Sequence, residues 1–115
     1  MKHSAALNYL RAQRKKSGLS QKDVAKLLGH KDEGQISRHE RAVSIPPLES
    51  AIAYEVIFRV PVAAIFAGMR DVIAEEIEAK LNGMGADLQN SSPNGRTANL
   101  TAQKLAWLVE RGKTE

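Results

Sequence analysis

From Leu7 to Phe66, apolar residues recur three and four positions apart, in short runs broken by Gly or Pro. Nowhere does alternation last long enough to predict a strand, so the pattern is helical. A first helix is expected over about 5–17, with Leu7, Leu10, Arg11 and Arg14 on one face and Gly18 as its stop. A second starts at Ser20, a good N-cap, with Asp23 three residues on as a short capping box. Its buried stripe is expected to be Val24, Leu27 and Leu28, beside the small Ala25, and Gly29 ends it. Asp32 can cap a third helix running to about Arg41, with Ile36 as its main apolar anchor. After the loop SIPP, Pro47 suits the first turn of a fourth helix to about Phe58, which is expected to bury Leu48, Ile52, Ala53 and Val56. Pro61 opens a short fifth piece with Val62, Ile65 and Phe66.

Beyond Gly68 the pattern changes. Met69, Ile73, Ile77, Leu81, Met84 and Leu88 trace one narrow stripe on a longer helix whose other face, with Asp71, Glu75, Glu76 and Glu78, is acidic. Gly83 and Gly85 weaken its end, at about 1 kcal/mol each relative to Ala. The stretch NSSPNG (90–95) reads as a turn or linker. Leu100, Leu105, Trp107 and Leu108 then predict a last helix over about 100–111, stopped by Gly112. The near-heptad stripe has two readings: it covers the side of the five-helix domain, or it pairs with a second copy. The expected division is therefore 1–67 and 68–115, the second part serving dimerisation or partner binding through Ile73, Ile77, Leu81, Leu105, Trp107 and Leu108.

Charge sharpens this picture. The net charge of the 115 residues is +4, but residues 1–45 alone carry +6, residues 46–92 carry −4 and the remainder +2. A basic first third beside an acidic support is the footprint of a surface that meets a polyanion. With no Cys, thiolate chemistry and disulfides are excluded. His3, His30 and His39 match no zinc spacing, so no metal and no cofactor are expected. No apolar run approaches a membrane span, and the N-terminus lacks a signal peptide's apolar stretch, so no membrane association and a cytoplasmic location are expected. The Glu cluster at 75–78 reads as a solvated face, and no phosphate-binding loop or Ser-His-Asp arrangement is apparent, which leaves an enzyme reading without support.

The informative stretch is GHKDEGQISRHERA, Gly29 to Ala42. A short turn joins an apolar helix to a polar, basic one, which is the helix-turn-helix pattern. The first helix packs down and supports; the second has one apolar side, at Ile36, and leaves its other faces polar for a nucleic-acid groove. Gln35 and Arg38 are the right types for base edges, Arg for guanine and Gln for adenine, and Glu33 could accept from a cytosine amino group. Gly34 removes bulk where backbone and bases approach.

Residues 7–66 resemble the phage-repressor/Cro-type (XRE) helix-turn-helix family. The resemblance rests on LRAQRKKSGLSQKDVAKLLG (10–29), QISRHERA (35–42) and PPLESAIAYEVIFRVPVAAIF (46–66). It implies an all-α, five-helix repressor-like domain with a helical C-terminal extension, and a DNA-binding regulator of transcription acting as a homodimer on double-stranded DNA. It implies that Glu33, Gly34, Gln35, Ser37 and Arg38 face the groove, that Gln21 and Arg41 touch phosphate, and that Arg14 and Glu40 form a partly buried ion pair. Lys15 and Lys22 are further phosphate candidates. The chain departs from the family in its turn HKDEGQ, one residue longer, and at Ala42, where a helix-ending Gly is usual. It departs also at His39, where an apolar or aromatic residue is usual and where packing is expected to be weaker. An antitoxin that binds its own operator and neutralises a toxin through 69–115, and an adaptor that binds protein rather than DNA, are the alternatives.

Overall fold

The structure, a computed structural model, describes residues 7–91 and 95–113. Among these there are seven helices and no strand: α1 (Leu10–Ser17), α2 (Gln21–Leu28), α3 (Gly34–Glu40), α4 (Leu48–Phe58), α5 (Val62–Ile65), α6 (Ala67–Gln89) and α7 (Gly95–Gly112). The all-α class and the N-terminal domain with a helical extension are as the sequence predicts. Packing divides the chain into two units, one ending at Ile73 and the other beginning at Ala74, so the boundary lies within α6.

In the first unit, α1 packs on α3 and α4, α2 on α3, and α4 on α5. Leu10, Val24, Ala25, Ile36, Tyr54, Ile65 and Phe66 form the core, with Leu19, Leu28, Ile57, Phe58, Val60 and Val62 packed against it. Local chemistry sets the joints. Asp23 N–H donates to the Ser20 hydroxyl (3.0 Å), while Asp23 Oδ2 accepts from Ser20 N–H (2.9 Å), completing the capping box. These bonds, first that from the Ser20 backbone, hold the Asp23 carboxyl below the usual range. Gly29 closes α2 at φ +78°, a left-handed conformation that costs other residues about 1–2 kcal/mol. Ala42 also sits there, at φ +58°, a conformation in which glycine is the usual residue.

Several expected positions are corrected. The helix expected from residue 5 begins at Leu10 in the described chain, and Leu7 is exposed rather than buried. Tyr9 N–H instead bonds the Ile65 carbonyl at 2.8 Å, and Asn8 Oδ1 accepts from Leu10 N–H. Leu27 is exposed; Val24, Ala25 and the half-buried Leu28 make the inner stripe of α2. Of the face expected to be buried in α4, Leu48, Ile52 and Val56 are exposed and Ala53 is half-buried, while Ser50, Ala51 and Tyr54 are buried. Pro47 precedes α4 as its N-cap rather than lying in its first turn.

The second unit holds the later part of α6 and α7. Glu78 accepts both guanidinium nitrogens of Arg111 (2.9 and 2.7 Å), which holds its carboxyl below the usual range. Leu108 lies beside Gly85, and Ile77, Leu81, Thr101, Leu105 and Leu108 are half-buried. Helix α7 starts at Gly95, earlier than the turn-like composition suggests, while residues 92–94 of that turn lie outside the described residues. No helix among the described residues is long and apolar enough to cross a membrane.

Candidate nucleic-acid interface

Helix α3 has seven residues, too few to be stable alone. Tertiary contacts must hold it, and they come from three buried residues of unlike chemistry on one face, Ile36, His39 and Glu40. Ile36 is fully buried in the core. His39 is buried too, its Nδ1 within 2.6 Å of the Tyr54 hydroxyl and its ring edge-on to the Tyr54 ring. Burial, then the charges of His30 and Arg38, lowers the His39 pKa, and burial raises that of Tyr54. The bond therefore joins a neutral phenol and a neutral imidazole, and the histidine tautomer sets which of them donates. This corrects the expectation of weak packing at His39: the ring fills an aromatic position and satisfies its polar edge inside the core. Asn8 Nδ2 donates to the His39 carbonyl at 3.0 Å.

Glu40 completes the seat. Its carboxylate accepts from Arg14 Nε, from Arg14 Nη2 at 3.1 Å and from Gln21 Nε2 at 3.1 Å, while Arg14 Nη1 reaches the Leu19 carbonyl at 3.0 Å. The side chain of Glu40 is 2% exposed and that of Arg14 12%. One carboxylate thus ties α1, the start of α2 and the end of α3 together. Its hydrogen bond to Arg14, ahead of simple charge attraction, raises the Arg14 pKa.

The outer face follows from the inner one. Gln35 and Arg38 are exposed one turn apart, with half-buried Gly34 and Ser37 and exposed Arg41 beside them. Asp32 Oδ1 accepts from Gly34 N–H at 2.9 Å, so Asp32 serves the first turn although Glu33 is the N-cap residue. A Cβ on Gly34 would lie 3.0 Å from that oxygen and 3.4 Å from Arg38 Nη2, so Gly34 leaves room for the guanidinium over the helix start. Arg41 Nε donates to the Ser37 hydroxyl at 3.1 Å.

An open groove runs beside this face, lined in part by Arg11, Ser20, Gln21, Lys22, Glu33, Ser37 and Arg41. It gathers Gln21, Lys22, Glu33, Ser37 and Arg41 of the expected set. Gln35 and Arg38 do not line it, and Lys15 is exposed elsewhere on α1. Arg11 is the cation that sequence reasoning passed over as a site residue; its place one turn before Arg14 was the available signal. In the second unit, Trp107 is 55% exposed, with the Arg111 guanidinium carbon 5.7 Å from its ring centroid. The other expected partner-binding residues, Ile73, Ile77, Leu81, Leu105 and Leu108, are half-buried.

A supporting helix, a tight turn and a seven-residue helix with a locked inner face and a polar outer one define a helix-turn-helix DNA-binding domain. Residues 10–65 match the helix-turn-helix family model. That match supports the phage-repressor/Cro-type (XRE) helix-turn-helix family, a family of DNA-binding regulators, for residues 10–65. No curated protein and no solved structure matches the chain.

Proposed function

We propose that the chain is a cytoplasmic, sequence-specific regulator of transcription, a repressor that binds double-stranded DNA as a homodimer. The observation that carries this reading is the division of α3 into a buried face, fixed by Ile36, His39 and Glu40, and an outward face of Gln35 and Arg38 beside a basic groove. In this reading α3 lies in the major groove. Glu33, Gly34, Gln35, Ser37 and Arg38 meet base edges, while Gln21, Lys22, Arg41 and Lys15, with Arg11, meet phosphates. Two-fold symmetry would set the two recognition helices about 34 Å apart on a pseudo-palindrome. Residues 68–115 serve self-association or the binding of another protein. The exposed Leu100 and Trp107 favour keeping the antitoxin reading as a second one, and co-purification of a small unrelated protein would support it.

The test is selection of binding sites from random duplex DNA at near-physiological salt, with wild type and Arg38→Ala in parallel. A two-fold motif that the variant relaxes at one position in each half-site is the expected result. Enrichment of nothing by the wild type would remove base readout, and the α3 surface would then be tested against proteins.

A further inference from the structure

Helix α4 has two apolar faces, and the core uses one. Outward, Leu48, Ile52 and Val56 stand one turn apart and are 75%, 49% and 70% exposed. Val43 and Ile45, in the loop leaving α3, are exposed as well. Single apolar residues at a surface are ordinary, but a continuous stripe of this kind marks an association site. The two ends of the stripe differ in charge. Glu49 stands beside Leu48, and Arg59 caps the helix just past Val56; both are exposed. Neither has an ion-pair partner among the described residues. Glu55 is already engaged, since its Oε1 accepts from Val62 N–H at 2.8 Å and so caps α5.

We propose that a second copy of this chain docks on this face, α4 against α4 and antiparallel. A two-fold contact of one surface with itself requires self-complementarity. Antiparallel pairing supplies it, because the acidic end of each stripe then meets the basic end of the other, with Ile52 and Val56 between. Parallel pairing would set Glu49 against Glu49, Arg59 against Arg59, and like helix-dipole ends together. The stripe begins in the loop that follows the recognition helix, so this contact also brings two α3 helices onto one DNA. That consequence rests on the function proposed above; the contact itself does not.

The test is sedimentation velocity on the full chain without DNA, over a concentration series, for wild type, Ile52→Asp, Glu49→Arg, and Glu49→Arg combined with Arg59→Glu. The wild type is expected to dimerise. Ile52→Asp should sediment as a monomer with unchanged helical circular dichroism. The single charge reversal should weaken association about tenfold, and the double reversal should restore it. A wild-type monomer at every concentration, a dimer indifferent to Ile52→Asp, or a double reversal no better than the single one would overturn the proposal. Should Ile52→Asp fail to fold, the exposed charge pair decides. A gel-shift on a single half-site keeps the two readings apart: dimerisation without DNA binding defeats the proposed function and leaves this contact standing.

Discussion

His39 is a titratable ring placed where protonation is costly, and the cost has a sign that can be measured. Its folded pKa lies below the ordinary value of about 6.5 because the ring is buried and faces the positive charges of His30 and Arg38. Tyr54, whose hydroxyl is hydrogen-bonded to Nδ1, and nearby Glu40 complete the surroundings. A depressed histidine contributes stability that is intact above the unfolded pKa and is lost as pH falls through the folded one. Urea midpoints should therefore hold level from pH 8 to about 6.5 and decline below it. The double variant His39→Leu, Tyr54→Phe removes both polar edges together and should flatten that decline down to about pH 5. A variant that declines as steeply as wild type would place the sensitive group elsewhere. Asp23 and Glu78, whose pKa values are lowered by their hydrogen bonds, act only in the more acidic carboxylate range.

At the scale of the element, the Arg14–Glu40–Gln21 junction decides whether α3 is held. Arg14→Met strands a carboxylate whose side chain is 2% exposed, which should cost about 3–5 kcal/mol. Removing both charges, Arg14→Met with Glu40→Leu, should recover most of that loss in chemical denaturation; equal losses in the single and double variants would mean that the pair carries little of the cost. This junction was legible in the sequence through the family resemblance, and the capping box of α2 through purely local chemistry. The phase of α4 was not legible. LESAIAYEVIF is apolar on nearly every side, so periodicity offers no unique inward face. The choice is made by Tyr54, which reaches His39 fifteen residues back. The start of α1 was hidden for the same reason, since the bond from Tyr9 N–H to the Ile65 carbonyl joins residues far apart in the chain. Capping and turns are written in neighbouring residues, whereas helix phase and the placement of Arg11 in the groove depend on contacts made only once the chain has folded.

For the whole molecule, the uneven charge makes a quantitative claim about salt. The +6 of residues 1–45 lies on the unit that carries the groove, while the acidic face of α6 lies outside that segment. Each phosphate neutralised by a cation adds about −0.9 to the slope of log affinity against log salt concentration. If Arg11, Lys15, Lys22 and Arg41 each meet one phosphate, a monomer should give a slope of about −3.6 and a dimer on two half-sites about −7. Arg41→Ala should weaken binding to specific and random duplexes alike and, in a dimer, make the slope shallower by about 2. Arg38→Ala should instead relax preference at one base position, because its proposed role is readout rather than neutralisation. Glu75→Gln on α6 should leave the slope unchanged. Fluorescence-anisotropy titrations between 50 and 300 mM salt, on the order of the range where counterion release dominates, measure all of these together. A wild-type slope near zero would contradict a phosphate-lined groove. A slope near the monomer value on a full palindrome would mean that the two half-sites are not occupied as a unit, whatever surface joins the copies.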